Sequence, residues 1–99
     1  MWQRAITGSS GGSPNVFGKE YTQSLSNGTN TYTFSDFEKV VAICDKQYAW
    51  SGFLDADGNT QSVGTFTSYI QVLNISGNQI SLQVVSGYGG NHGLVVIGY

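Results

Sequence analysis

The clearest alternation of apolar and polar residues lies in the C-terminal third of the chain. Residues 69–75 and 80–85 are β-rich runs separated by Ser76-Gly77-Asn78-Gln79. A Gly-Asn pair between such runs predicts a two-residue primed turn, because glycine readily takes the positive φ that this turn needs. The turn sets the cross-strand pairs Ile75–Ile80, Leu73–Leu82 and Gln71–Val84. These pairs make one face of the hairpin mostly apolar and place Val72, Ile70 and Val85 on the other.

Further short strands are predicted where β-branched and aromatic residues stand between turn residues. Asn27-Gly28 is a strong hairpin signal and predicts that the runs on either side of it pair with each other. The final run, Leu94 to Tyr99, is apolar on both faces, so it is central in a sheet or covered by a partner. Seven to eight short strands with no helical period predict an all-β fold, an antiparallel β-sandwich or jelly roll.

The first 14 residues differ from the rest in composition. Trp2, Arg4 and Ile6 stand in a short mixed segment, and a Gly/Ser-rich linker follows at residues 7–14. This segment is either a frayed tail or a partner-binding arm that docks on a neighbouring chain by adding a strand to a sheet edge. The predicted organisation is an anchoring arm and linker at 1–14, followed by a β-sandwich domain at 15–99.

The charge of the chain restricts its partners. Only 10% of its 99 residues are charged, against about a quarter in an ordinary soluble domain. The net charge is −2 and the four basic residues are scattered, whereas a nucleic-acid surface needs clustered Lys and Arg. No apolar run approaches the ~18 residues of a membrane span, and no signal-peptide pattern opens the chain. We expect neither nucleic acid nor membrane as a partner.

Catalytic and metal-binding patterns are weak. Cys44 lies in an apolar run and predicts a buried thiol, and one cysteine with one histidine cannot assemble a standard zinc site. Residues 55–59 begin like a calcium loop, but Thr60 stands where that loop needs Gly and Phe66 where it needs Glu. No pair of residues stands in a motif for acid–base or nucleophilic chemistry. The expectation is no enzyme, no cofactor and no metal.

Two groups of residues are candidates for binding. The glycine-rich stretch around Tyr88 is either a flexible connection or a recognition loop, with Tyr88 as an aromatic platform and Asn91 and His92 as hydrogen-bonding arms. Tyr48 and Trp50 are two residues apart and would share a face of a strand. They are either core aromatics or an exposed platform for sugar rings or a neighbouring subunit.

Three features of the chain resemble small virion proteins of tailed bacteriophages, such as capsid decoration proteins and the β-sandwich domains of head and tail fibres. They are the Gly/Ser linker after a short N-terminal peptide, the run Tyr32-Thr33-Phe34-x-x-Phe37-x-Lys39-Val40-Val41, and the ending Gly93-Leu94-Val95-Val96-Ile97-Gly98-Tyr99.

The resemblance implies a non-enzymatic structural protein of the virion, made in the host cytoplasm and displayed on capsid or tail. Such proteins bind other virion proteins through an N-terminal arm and are often homo-oligomers, in particular trimers. The alternative is a carbohydrate-binding or adhesion module in which Tyr48, Trp50 and Tyr88 stack on a cell-surface glycan. The two functions overlap, because a decoration protein can also be an adhesin.

Overall fold

The computed structural model describes residues 15–99, so the predicted arm and linker lie outside the described residues. Residues 15–99 form eight strands joined by turns and loops, and every strand pairing is antiparallel. The all-β prediction is confirmed. In this part of the chain there is no helix long and apolar enough to cross a membrane.

The strands form two sheets. Their bounds are β1 Phe17–Leu25, β2 Gly28–Thr33, β3 Val40–Asp45, β4 Ser51–Leu54, β5 Thr60–Val63, β6 Ile70–Ser76, β7 Gln79–Val84 and β8 Gly90–Gly98. One sheet has the order β1-β8-β3-β4-β5, and the other has the order β2-β7-β6. The division is consistent with a β-sandwich, whereas the connectivity of a jelly roll, with two Greek keys, is not confirmed.

The inward faces of both sheets supply one hydrophobic core. On β7 the buried residues alternate with more exposed ones, as the period of a strand that covers a core requires. β8 pairs with β1 on one side and with β3 on the other. The apolar run that begins at Leu94 is therefore central in its sheet, which is one of the two alternatives predicted for it. The largest fully buried side chains are Trp50, Ile43, Ile70, Ile80, Leu82, Leu94, Val40 and Val96.

The tip of the β6–β7 hairpin is confirmed. Gly77 has a φ of +58°, the left-handed conformation that the primed turn requires, and Ile75 pairs with Ile80. Beyond the tip the predicted register is wrong, because a β-bulge lies between Val72 and Asn74.

The bulge changes which residues face the core. Val72 pairs with Leu82, and Ile70 takes the place opposite Val84 that was predicted for Gln71. Ile70 and Val72 are 0% and 3% exposed, while Leu73 is 39% exposed. One extra residue in a strand moves the side chains beyond it to the opposite side of the sheet. Here the bulge buries two β-branched side chains and exposes one leucine.

The hairpin predicted at Asn27-Gly28 is also wrong. β1 pairs with β8 and β2 pairs with β7, so the chain passes from one sheet to the other at this turn. Leu25 at the end of β1 and Phe34 just after β2 are both buried in the shared core. Separating the strands lets each cover that core from its own side, which direct pairing in one sheet would prevent.

Side chains also join the two sheets along one edge. Ser62 Oγ accepts a hydrogen bond from the Val72 amide at 2.9 Å, and Thr60 Oγ1 accepts one from the Ile75 amide at 3.0 Å. These bonds run from β5, the edge of one sheet, to β6, the edge of the other. They satisfy amides of an edge strand that has no strand partner on that side.

Candidate functional site

Three loops meet at one end of the sandwich, at residues 46–50, 64–69 and 85–89. The Phe66 amide donates to the Ala49 carbonyl at 2.9 Å, which joins the first two loops. The Val85 amide donates to the Tyr69 carbonyl at 2.9 Å, which joins the second and third. Strand β5 ends at Val63, so the aromatic residues that follow it belong to a loop.

The loops carry an aromatic cluster, which consists of Tyr48, Phe66, Tyr69 and Tyr88. Ring centroids are 4.3 Å apart for Tyr69 and Tyr88, which are stacked, and 4.9 Å apart for Tyr48 and Phe66. Phe66 connects these two pairs, at 5.0 Å from Tyr69 and 5.5 Å from Tyr88. Three of these four distances lie in the favourable range of about 4.5–7 Å for aromatic pairs, and the stacked Tyr69–Tyr88 pair is slightly closer. Tyr48 and Tyr69 are 40% and 39% exposed, so the cluster presents ring surface to solvent.

A cavity of about 290 Å³ lies beside the aromatic cluster. Its lining residues are Tyr48, Phe66, Gly87, Tyr88, Gly89, Asn91 and His92. The structure therefore brings together four residues singled out in the sequence, Tyr48, Tyr88, Asn91 and His92. Sequence reasoning does not identify Phe66 as a binding residue, because its Thr- and Val-rich surroundings also fit a strand. No Lys, Arg, Asp or Glu lines this cavity.

Trp50 does not take part in the exposed surface. It is 2% exposed, and its Nε1–H donates to Asp45 Oδ2 at 2.9 Å. The interpretation of Trp50 as an exposed platform is wrong, whereas the alternative of a core aromatic holds. Tyr48 and Trp50 precede β4 and are joined by a tight turn, in which the Trp50 amide donates to the Tyr48 carbonyl at 2.9 Å. The two-residue period of a strand does not apply in such a turn.

His92 lies on β8, which begins at Gly90, and is only 6% exposed. Its Nδ1 lies 2.8 Å from Asp45 Oδ2 and its Nε2 lies 2.9 Å from the Tyr88 carbonyl oxygen. Both nitrogens are therefore occupied by the protein, and the hypothesis of a hydrogen-bonding arm for a ligand is wrong for this residue. In this arrangement His92 positions other groups and has no nitrogen free for a substrate.

The side chain of Asp45 is fully buried beneath the loops. Its Oδ1 accepts from the amides of Gln47 at 2.8 Å and Tyr48 at 3.1 Å. Its Oδ2 accepts from Trp50 Nε1–H and faces His92 Nδ1. Four donors around one carboxylate satisfy it fully, as a buried charge requires. Sequence reasoning missed this pair, because nothing in the local pattern links residues 47 positions apart.

Asp55 has a purely structural environment. Its carboxylate accepts hydrogen bonds from the amides of Asp57 and Asn59, both at 2.9 Å, and from Gln61 Nε2 at 2.8 Å. These bonds, the Asn59 amide first, lower the pKa of Asp55. The Asp55 amide also donates to the Asn59 carbonyl at 2.9 Å. This bond closes the turn and confirms the turn interpretation of residues 55–59.

The arrangement at this end of the sandwich is suited to hold an uncharged molecule against aromatic rings. Its buried Asp45–His92 contact is enclosed by protein, and its open surface consists of rings, an amide and peptide groups. Within residues 15–99 no group of three or more His, Cys, Asp or Glu side chains could hold a metal ion. In comparisons with known proteins, no family model, no curated protein and no solved structure matches this chain.

Proposed function

We propose that the domain is a non-catalytic binding module that holds a sugar ring against the aromatic cluster. The observation that carries the proposal is the solvent-open ring surface of Tyr48 beside a cavity that no Lys, Arg, Asp or Glu lines. The one histidine in the lining, His92, has both ring nitrogens occupied by the protein. Aromatic side chains at binding surfaces supply contact area at little entropic cost, because they have only two rotatable bonds.

The composition of the cavity favours a neutral ligand with an apolar face and many hydroxyls. Tyr48, Phe66 and Tyr88 offer ring surface for the apolar face of a sugar. The Asn91 amide and the tyrosine hydroxyls can both donate and accept hydrogen bonds. With no lysine or arginine in the lining, a phosphate or nucleic-acid ligand would lack a counter-charge. A cavity of about 290 Å³ is at the small end for binding sites, which favours one or two sugar units.

The test is titration with a panel of neutral mono- and disaccharides, in which amide chemical shifts and calorimetry monitor binding. We expect saturable binding with shifts confined to residues 46–50, 64–69 and 85–92. Tyr48→Ala should weaken binding by up to about tenfold, since an aromatic contact contributes about 0.5–1.5 kcal/mol beyond the area that it buries. The matched control is Phe53→Ala, which removes a ring of similar exposure, 38%, from β4, which forms no part of these loops. No response across the panel would contradict the proposal.

A second candidate is supported by the outward surface of the larger sheet. Ala42 pairs with both Phe53 and Ile97, so all three side chains point to the same side of the sheet. Cys44 pairs with Val95 and with Ser51, and Ser51 pairs with Val63 on the same side. Phe53 and Val63 are 38% and 42% exposed. We call this surface the outer face; exposed apolar patches of this kind mark protein–protein contacts.

The second candidate function is a structural subunit of a bacteriophage particle, displayed on capsid or tail, self-associating through the outer face and attached through residues 1–14. Light scattering at several concentrations should then show a stable oligomer, with a trimer as the expected form. Phe53→Lys should shift it toward monomer, while Tyr48→Ala should not. A monomer at all concentrations would contradict self-association.

Attachment is tested separately by deleting residues 1–8. The shortened chain should fold but fail to join the particle, and normal incorporation would contradict the role of the arm. The two candidate functions use different surfaces, so both can hold for a subunit that also adheres to a glycan.

A further inference from the structure

We propose that the proton on His92 controls the binding site: the protonated ring holds the Tyr88 peptide in place, and loss of the proton releases it and weakens sugar binding. This inference rests on the proposed function for its ligand. The movement of the Tyr88 peptide can be measured without any ligand.

The first step is the hydrogen-bond inventory of the ring. Nδ1 faces a carboxylate oxygen of Asp45 and Nε2 faces the Tyr88 carbonyl oxygen, and both oxygens are acceptors. A neutral imidazole carries one N–H, so it can satisfy only one of them. The imidazolium has two N–H groups and satisfies both. It also provides the counter-charge for the fully buried Asp45 carboxylate.

The second step identifies the contact that is lost. The bond from Nδ1–H to Asp45 is charge-assisted, whereas the bond from Nε2–H to Tyr88 has a neutral acceptor. Deprotonation therefore takes the proton from Nε2. Its lone pair then faces the Tyr88 oxygen at the 2.9 Å of the former hydrogen bond, which is repulsive.

The third step connects this contact to the binding surface. The peptide between Tyr88 and Gly89 is held at both ends: its carbonyl faces His92 Nε2, and its N–H donates to Asn27 Oδ1 at 3.2 Å. The preceding peptide is fixed by the Tyr88 amide, which donates to the Val85 carbonyl at 3.0 Å, and the following residue but one, Gly90, is held in β8 opposite Leu25. His92 and Asn27 therefore set the orientation of this peptide. Its release moves the Tyr88 ring, which stacks on Tyr69 and lines the cavity.

The surroundings of His92 contain few other groups that could titrate in its place. Asp45 on β3 faces Nδ1, and the Tyr48 ring from the neighbouring loop lies 5.4 Å from the imidazole. The cross-strand neighbour on β1 is Gln23, which is uncharged. Lys46 is engaged by Glu20 at 2.7 Å. The sign of the effect follows: binding is full where His92 is protonated and falls as rising pH removes the proton.

The experiment uses the full chain, whose single histidine gives one unambiguous set of imidazole signals. ¹⁵N and ¹H spectra of the ring across a pH series show which nitrogens carry hydrogen, while the Gly89 amide and Tyr88 ring signals report the peptide. In parallel, the affinity for the best saccharide of the panel is measured at each pH. We expect loss of the Nε2 proton, movement of the Gly89 signal and about tenfold weaker binding in the same pH interval.

A matched variant separates titration from simple loosening. Asn27→Ala removes the other restraint on the same peptide without removing a titratable group, so binding should weaken while its pH dependence persists. His92→Gln should abolish the pH dependence. A ring with only one N–H throughout the pH range of the folded protein would overturn the inference, as would Gly89 and Tyr88 signals that do not follow the titration. If these signals move but no saccharide binds, the proposed function fails and the control of Tyr88 by His92 stands.

Discussion

Asp45 Oδ2 lies 2.8 Å from His92 Nδ1, although 47 positions separate the two residues in the chain. The pair joins the end of β3 to the start of β8, and neither side chain is more than 6% exposed. Through this contact the loop at 46–50 and the loop at 85–89 share one buried centre. The aromatic cluster above them thus has a rigid base, as a preorganised binding site requires.

Asp45→Asn should strongly destabilise the domain. It replaces an acceptor oxygen by an NH₂ group beneath the loops, so a buried donor such as Trp50 Nε1–H loses its acceptor, which costs about 1–3 kcal/mol. Urea unfolding followed by circular dichroism measures the loss. Asp57→Asn is the matched control, since Asp57 is exposed and the same change there should stay within about 0.5 kcal/mol. Equal stability of the two variants would show that the pair does not support the fold.

Ile70→Ala should cost far more stability than Leu73→Ala. Ile70 is fully buried as a result of the bulge, and truncation of a buried isoleucine costs about 2–5 kcal/mol. Leu73 is 39% exposed, and its truncation should cost less than about 1 kcal/mol. The regular hairpin register would predict the reverse order. Chemical denaturation of the two variants side by side therefore tests the bulge directly.

The stability of the domain should fall on acidification below the ordinary pKa values of 4.5 for Glu and 3.8 for Asp. The pKa of Asp55 is lowered by amide hydrogen bonds from Asn59, that of Asp36 by Lys19 and Tyr21, and that of Glu20 by Lys46. A lowered pKa in the fold means that stability is present above the unfolded value and lost as pH falls through the folded one.

Thermal unfolding at a series of acidic pH values checks this expectation. Asp55→Asn should make the loss of thermal stability with falling pH less steep. It removes one of the three carboxylates whose protonation destabilises the fold. An unchanged pH profile in this variant would contradict the role of the Asp55 turn.

Tyr21 should lose its phenolic proton only in strongly alkaline solution. Burial and the hydrogen bond from Tyr21 Oη to Asp36 Oδ2, at 2.8 Å, raise the pKa of Tyr21 to about 12. Because the raised pKa favours the neutral phenol in the fold, this stabilising effect is full below the ordinary value of 10 and lost as pH rises through about 12. Phenolate absorbance during an alkaline titration should include a late transition that Tyr21→Phe removes.

Several parts of the candidate site could be predicted from local sequence. Tyr88 and Asn91 stand in a stretch rich in Gly and Tyr, a composition typical of binding loops, and both line the cavity. Phe66 could not be predicted there, because its Thr-rich surroundings also fit a strand. The function of His92 could not be predicted either, since it depends on Asp45 and on the Tyr88 carbonyl, which meet it only in the folded chain.

The sequence by itself determined the all-β class, the hairpin tip at Gly77 and the two-sided apolar character of β8, because these depend on side-chain period and turn chemistry within a few residues. Only the tertiary structure decided the bulge at Leu73, the different sheets of β1 and β2, and the Asp45–His92 contact beneath the aromatic cluster. Each of these depends on burial and satisfied hydrogen bonds between residues distant in the chain. Such contacts are selected by the free energy of the whole core, which a local pattern does not contain.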